Sequence, residues 1–190
     1  MRIFFAIKLP PQTYKELRLI TKAISKSLGE RLSIFRWIPQ ENLHITLKFI
    51  GEIQDKKLPL VADIGKEVAL SCSTLTVRSS NVIPLPSPQK IRLLALAFQR
   101  IPSLDSLVKT LNASLQKMGI PSEKRDFLPH ATLARVKRGK TLPNIDLSRD
   151  IPPITFEASE IILFKSDLSP DGARYSPLYT FPLKSPINRQ

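Results

Sequence analysis

The sequence predicts an α+β protein built as two similar halves. Segments of alternating or β-branched apolar residues interleave with segments whose apolar residues recur at helical spacing. A strand, a helix and then a histidine-bearing strand follow one another in each half. Short turns punctuate the chain, and no linker is long enough to separate independently folding domains, so residues 1–190 are expected to form a single domain of two interleaved lobes. The echo suggests two α+β lobes; the same order of elements also admits one continuous mixed sheet.

In chain order, Arg2 to Leu9 mixes β-branched and aromatic residues and stops at Pro10-Pro11, as a strand entering a helix whose first turn tolerates proline. From Thr13 onward Tyr14, Leu17, Leu19, Ile20, Ala23, Ile24 and Leu28 mark a helix, with Gly29 as its stop. A loop holding Trp37 and Pro39 leads to an alternating strand, Leu43 to Ile50, closed by Gly51. A helix over about Asp55 to Ala69 precedes strands at Leu75–Val77 and Ile91–Phe98, separated by a proline-rich loop from Pro84 to Pro88. Ser103 to Met118 reads as a third helix ended by Gly119. Strands follow at Ala131–Val136, Ile161–Lys165 and roughly Tyr175–Leu183, with Asp171-Gly172 as a turn.

With 42% hydrophobic residues the chain has enough apolar side chain for a substantial core. No apolar run approaches the roughly 20 residues of a membrane-spanning helix, and the opening Met1 to Lys8 is too short for a signal-peptide core. A cytoplasmic protein without a membrane partner is expected, and a monomer by default. The single cysteine, Cys72, forms no intramolecular disulfide and anchors no thiolate metal site. Lys and Arg number 29 against 16 Asp and Glu, a net +13 spread along the chain that attracts polyanions.

Only two histidines are present, and each heads the same pattern: His44-Ile45-Thr46-Leu47 and His130-Ala131-Thr132-Leu133. One histidine before a threonine is an ordinary strand feature; a matched pair with no other histidine is not. In a strand, residues two apart share a face, so each unit sets an imidazole beside a hydroxyl. Hydrolysis of a cyclic phosphodiester needs one group to deprotonate the nucleophile and another to protonate the departing sugar oxygen. Histidine suits both roles near neutral pH, and threonine hydroxyls with nearby cations hold the phosphate oxygens without a metal or other cofactor. A zinc site is a weaker reading, since two His without Cys or a third His fall short of usual ligation.

These motifs resemble the two-histidine (2H) phosphoesterase superfamily, in its RNA 2′,3′-cyclic phosphodiesterase branch, also called 2′-5′ RNA ligases. The resemblance runs from Met1-Arg-Ile-Phe-Phe-Ala-Ile-Lys-Leu-Pro10 through Arg36-Trp37 to Gly51, Phe127 to Arg135, Phe164 to Leu168, Tyr175 and Phe181-Pro-Leu183. It implies two pseudo-symmetric lobes whose antiparallel sheets face a central cleft. His44 would be the proton donor, His130 the proton acceptor, and Thr46 and Thr132 would bind phosphate. The substrate would be RNA ending in a 2′,3′-cyclic phosphate and the product a 2′-phosphomonoester. Relatives often carry a tryptophan where this chain has Leu93-Leu94-Ala95, which removes one possible base-stacking ring.

Arg125 is a candidate for phosphate binding because its planar fork suits that anion. Lys48 is expected on the face of His44 and Thr46, toward the cleft rim, as a further substrate-binding residue; Arg135 is a weaker candidate for the phosphate, since its odd offset puts it on the face opposite His130. Phe49, Phe127 and Trp37 are candidates for base stacking, though aromatic residues of this kind are more often core. Two other activities fit the same residues: the reverse reaction, forming a 2′-5′ RNA linkage, and a basic RNA-binding module without catalysis.

Overall fold

The computed structural model describes residues 1–123, 125–140, 142, 145, 147, 151–169 and 172–185. The strand β1, Arg2–Lys8, is buried along nearly its whole length, as its run of Ile and Phe requires. Helix α1, Tyr14–Leu28, follows, burying Leu17, Ile20, Ile24 and Leu28 at helical spacing before Gly29 turns the chain at φ 53°. Then come β2 (Phe35–Trp37), β3 (His44–Glu52), α2 (Leu58–Ser71), β4 (Leu75–Ser87), β5 (Lys90–Phe98), α3 (Pro102–Lys117), β6 (His130–Val136), β7 (Thr155–Ala158), β8 (Glu160–Ser169) and β9 (Gly172–Pro182).

Among the described residues nine strands form one sheet in the order β7-β4-β5-β6-β3-β1-β8-β9, with β2 paired to β6, and every pairing between these strands is antiparallel. The repeated unit is visible in it. In one half β1 leads through α1 to β3, its neighbour; in the other β5 leads through α3 to β6, its neighbour. The halves join where Ile45 of β3 pairs with Ala131 of β6. Two similar halves and one continuous sheet therefore coexist, and the sheet is antiparallel where a mixed one was the alternative.

One face of the sheet and the helices share a large core that includes Phe5, Leu17, Ile45, Leu96, Leu111 and Leu133. The pleat sends Phe4 and Ala6 to the opposite face, where they meet Ile162, Phe164 and Tyr175 in a second, small cluster. Close packing of α2 on the sheet depends on Gly65, where a Cβ would sit 2.6 Å from Phe5 Cε1 and 2.8 Å from Phe181 Cε2.

The strands differ from expectation in three places. Both β2 and β7 are too short, at three and four residues, to show an alternation, and Trp37 belongs to β2 and not to a loop. The expected Pro84–Pro88 loop is largely strand, because Pro84 and Pro86 pair with β5 while β7 covers only Leu75 to Arg78. Beyond Arg78 the other edge of β4 carries no strand among the described residues, so missing N–H groups cost no ladder bond there. Asp171 of the expected turn lies outside the described residues; Gly172 adopts φ 126°.

Candidate active site

A β-bulge follows each histidine-threonine unit and sets which later side chains reach the cleft. Phe5 and Ala6 of β1 pair with Lys48 and Thr46, leaving Leu47 as the extra residue of β3. Leu94 and Ala95 of β5 pair with Ala134 and Thr132, leaving Leu133 as the extra residue of β6. The phase of alternation slips by one, so Leu47 with Lys48, and Leu133 with Ala134, are consecutive buried residues. The fifth residue after each histidine, Phe49 and Arg135, returns to the histidine's face.

Two expectations based on simple alternation are thereby corrected. Lys48 does not share a face with His44: it is 2% exposed, its ammonium donates to Pro121 O at 2.7 Å, and Glu123 lies 3.8 Å away. Arg135 does reach the cleft. Arg125 is exposed and does not line it.

His44, Thr46, His130 and Thr132 all line one cavity of about 420 Å³. Extending the Ile45–Ala131 pair by one residue each way sets His44 across from Thr132, and Thr46 across from His130. The two imidazoles are then diagonal neighbours, a relation that in regular ladders spans ~7–8 Å, within reach of one phosphate. Each Nδ1 donates to a backbone carbonyl two residues upstream: His44 to Asn42 O at 2.7 Å and His130 to Leu128 O at 2.8 Å. Because a carbonyl only accepts, Nδ1 carries the hydrogen of the neutral ring and Nε2 is left to exchange protons with a ligand.

The two rings have different surroundings. His44 sits 5.0 Å from the Phe4 ring, 5.0 Å edge-on from Tyr175 and 6.2 Å from Phe164. Burial under these rings holds its pKa below the usual imidazole value; Arg135 and His130 push the same way, against the Asn42 carbonyl, which favours the cation. Arg2, Arg36 and Arg135 line the cavity, and no Asp or Glu does among the described residues. The Arg2 guanidinium lies 4.7 Å above the Phe49 ring, and that of Arg36 packs 3.4 Å from where a Cβ on Gly172 would stand. No group of three or more His, Cys, Asp or Glu among the described residues is placed to hold a metal ion.

Of the aromatic candidates, Phe49 lines this cavity, Trp37 lines a different one, and Phe127 packs against the core. Leu93, in the strand that departs from the tryptophan pattern, also faces the cleft. Arg2, Phe4 and Arg36 lie in segments quoted for the resemblance but were given no role, because only strand pairing across the fold brings them to the histidines; Asn42 is instead a local neighbour, two residues before His44. Tyr175 was visible only through the resemblance.

A family model of LigT-like phosphoesterases matches residues 7–92 and 99–175. The chain belongs to this family. Members similar to it include the RNA 2′,3′-cyclic phosphodiesterase of Methanocaldococcus jannaschii, 30% identical over 92% of this chain and 96% of that one. The RNA 2′,3′-cyclic phosphodiesterase of Methanothermobacter thermautotrophicus is 27% identical over 96% of this chain and 99% of its own. A solved Thermus thermophilus structure superposes with a TM-score of 0.78 at 25% identity, covering 97% of this chain and 99% of that one. E. coli LigT in complex with 3′-AMP shares the LigT-like fold at a TM-score of 0.73, with 24% identity over 96% and 97% of the two chains. No helix of the described residues is long and apolar enough to cross a membrane.

Proposed function

We propose that this phosphoesterase hydrolyses 2′,3′-cyclic phosphate ends of RNA to 2′-phosphomonoesters, without a metal, with His44 as proton donor and His130 as proton acceptor. The observation that carries the reading is the facing pair: two imidazoles on adjacent strands of one cleft, each with Nδ1 tied to a carbonyl and Nε2 without a partner among the described residues. In this reading His130 Nε2 takes a proton from water as the water oxygen bonds to phosphorus. The bond from phosphorus to O3′ breaks on the opposite side, and His44, which enters the step as the imidazolium with hydrogen on both nitrogens, gives its Nε2 proton to the leaving oxygen and ends neutral. His130 ends as the imidazolium and returns its proton to solvent. Thr46 and Thr132 donate hydroxyl hydrogen bonds to the non-bridging oxygens, and Arg135 supplies a fixed positive charge where charge accumulates.

The names of the relatives support the substrate class, and the +13 charge suits a polyanion. Lys48 and Arg125 have no part in the reaction as proposed. The reading extends to a monomeric single domain working in the cytoplasm, where a chain with one buried cysteine needs no disulfide. A solution mass near twice 21.4 kDa would contradict the monomer.

The test is incubation of the purified protein with a nucleoside 2′,3′-cyclic phosphate and excess chelator, with the product isomers separated. The 2′-monophosphate is expected. An intact substrate would refute the metal-free reaction, and a 3′-monophosphate would reverse the assignment of the broken bond.

A further inference from the structure

A second cavity, of about 430 Å³, lies on the other face of β2 and β6, between them and α1. Strand alternation explains the division: Arg36 of β2 points into the catalytic cleft, and the next residue, Trp37, into the second cavity. Leu133, the bulge residue of β6, faces the second cavity while Thr132 faces the first. Ile38 lines both. Ile38 therefore stands between the two spaces, directly after β2, whose other edge pairs with no strand among the described residues.

The second cavity has the chemistry of a nucleic-acid groove. Arg18 and Lys22 are exposed one turn apart on α1, with half-buried Thr21 and Ser25 beside them and the half-buried Trp37 ring across from them. No acidic residue lines it among the described residues, although the chain has 16. A cationic row beside an aromatic ring is how sequence-tolerant sites hold a single strand: cations track the backbone and the ring takes a base.

We infer that this groove binds the body of a single-stranded RNA whose cyclic end lies at the histidines, the strand passing over Ile38, with Trp37 stacking on a base and Arg18 and Lys22 holding phosphates. This rests on the reaction proposed above and adds to it a polymer-binding subsite, so that longer substrates gain an advantage over mononucleotides. A mononucleotide reaches only the catalytic cleft.

Trp37 is the chain's single tryptophan, so its emission reads the groove directly. The first measurement is that emission as an oligoribonucleotide of about eight residues is added, with binding followed in parallel by the anisotropy of a label on the RNA. Emission that changes in step with binding is expected. Unchanged emission at saturation would overturn the inference, and so would an equal change produced by inorganic phosphate or a mononucleotide at the same phosphate concentration. The second measurement compares kcat/KM for the cyclic-ended oligomer with that for the nucleoside cyclic phosphate, in wild type and in Arg18→Gln/Lys22→Gln. The ratio is expected to fall about ten-fold, and the salt slope of log Kd for the oligomer to flatten by about 1.4, at ~0.7 per lost contact on a single strand. An unchanged ratio and slope would overturn the groove. Failure of the underlying reaction shows separately, as no turnover of the mononucleotide by wild type.

Discussion

Replacing Arg135 and Lys48 in turn separates what the two bulges do. Arg135 is exposed and lines the cleft, so Arg135→Leu removes a guanidinium from the phosphate while leaving the core untouched. One charge-assisted hydrogen bond is worth about 1.5–3 kcal/mol, which corresponds to a loss of about 10- to 150-fold in kcat/KM. Lys48 is buried, and its ammonium fastens β3 to the segment that leads into His130 through Pro121 O. Lys48→Met keeps an unbranched side chain, one atom shorter, and removes that bond. The Glu123 partner is 57% exposed and contributes little, so the cost is about 1–3 kcal/mol of stability and about 3–9 °C in Tm. Hydrolysis of a nucleoside 2′,3′-cyclic phosphate at 25 °C and a calorimetric melt read the two effects. Arg135→Leu is expected to melt with wild type and to work poorly, and Lys48→Met to melt early and to work nearly as well as wild type. The opposite assignment, a stable and inactive Lys48→Met beside an active Arg135→Leu, would refute the bulge-shifted faces.

Three further outcomes follow from the same geometry. Phe4→Leu uncovers His44, whose pKa is held down chiefly by burial, so that pKa rises and the alkaline limb of the kcat/KM profile moves to higher pH; movement of the acid limb instead would exchange the roles of His44 and His130. Because the folded chain holds the His44 proton less tightly than the unfolded chain, stability at this site is present above pH 6.5 and lost as pH falls through the folded value. His44→Gln should flatten that part of the denaturant-measured stability profile, and an unchanged slope would contradict the lowered pKa of the buried ring. Gly65→Ala presses a Cβ against Phe5 and Phe181 and is expected to cost about 1–3 kcal/mol in a urea melt; a variant as stable as wild type would show that α2 shifts freely.

The elements legible in the sequence were those whose own side chains repeat. Leu17, Ile20, Ile24 and Leu28 mark α1 without help from the rest of the fold, and the paired His-x-Thr units mark the site because both residues of each unit precede the bulge. What alternation could not supply was the bulge itself, which arises from pairing with β1 and β5 and leaves no local signature. Lys48 and Arg135 were therefore assigned to the wrong faces by the same one-residue slip. Arg2 and Arg36 received no role for a related reason: neither neighbours a histidine in sequence, and only the order of strands in the sheet brings each to the cleft. β2 and β7 are held by their partners, β6 and β4, and are too short to announce themselves.

The most direct measurement is a double-mutant cycle on kcat with His44→Ala, His130→Ala and the combined variant, using a nucleoside 2′,3′-cyclic phosphate. If both rings act on one phosphorus in one step, each single loss is about 10²–10⁴-fold, and the combined variant is scarcely worse than either, because one imidazole accomplishes little without the other. Losses that multiply would mean two independent contributions, and full activity in either single variant would remove that histidine from the chemistry.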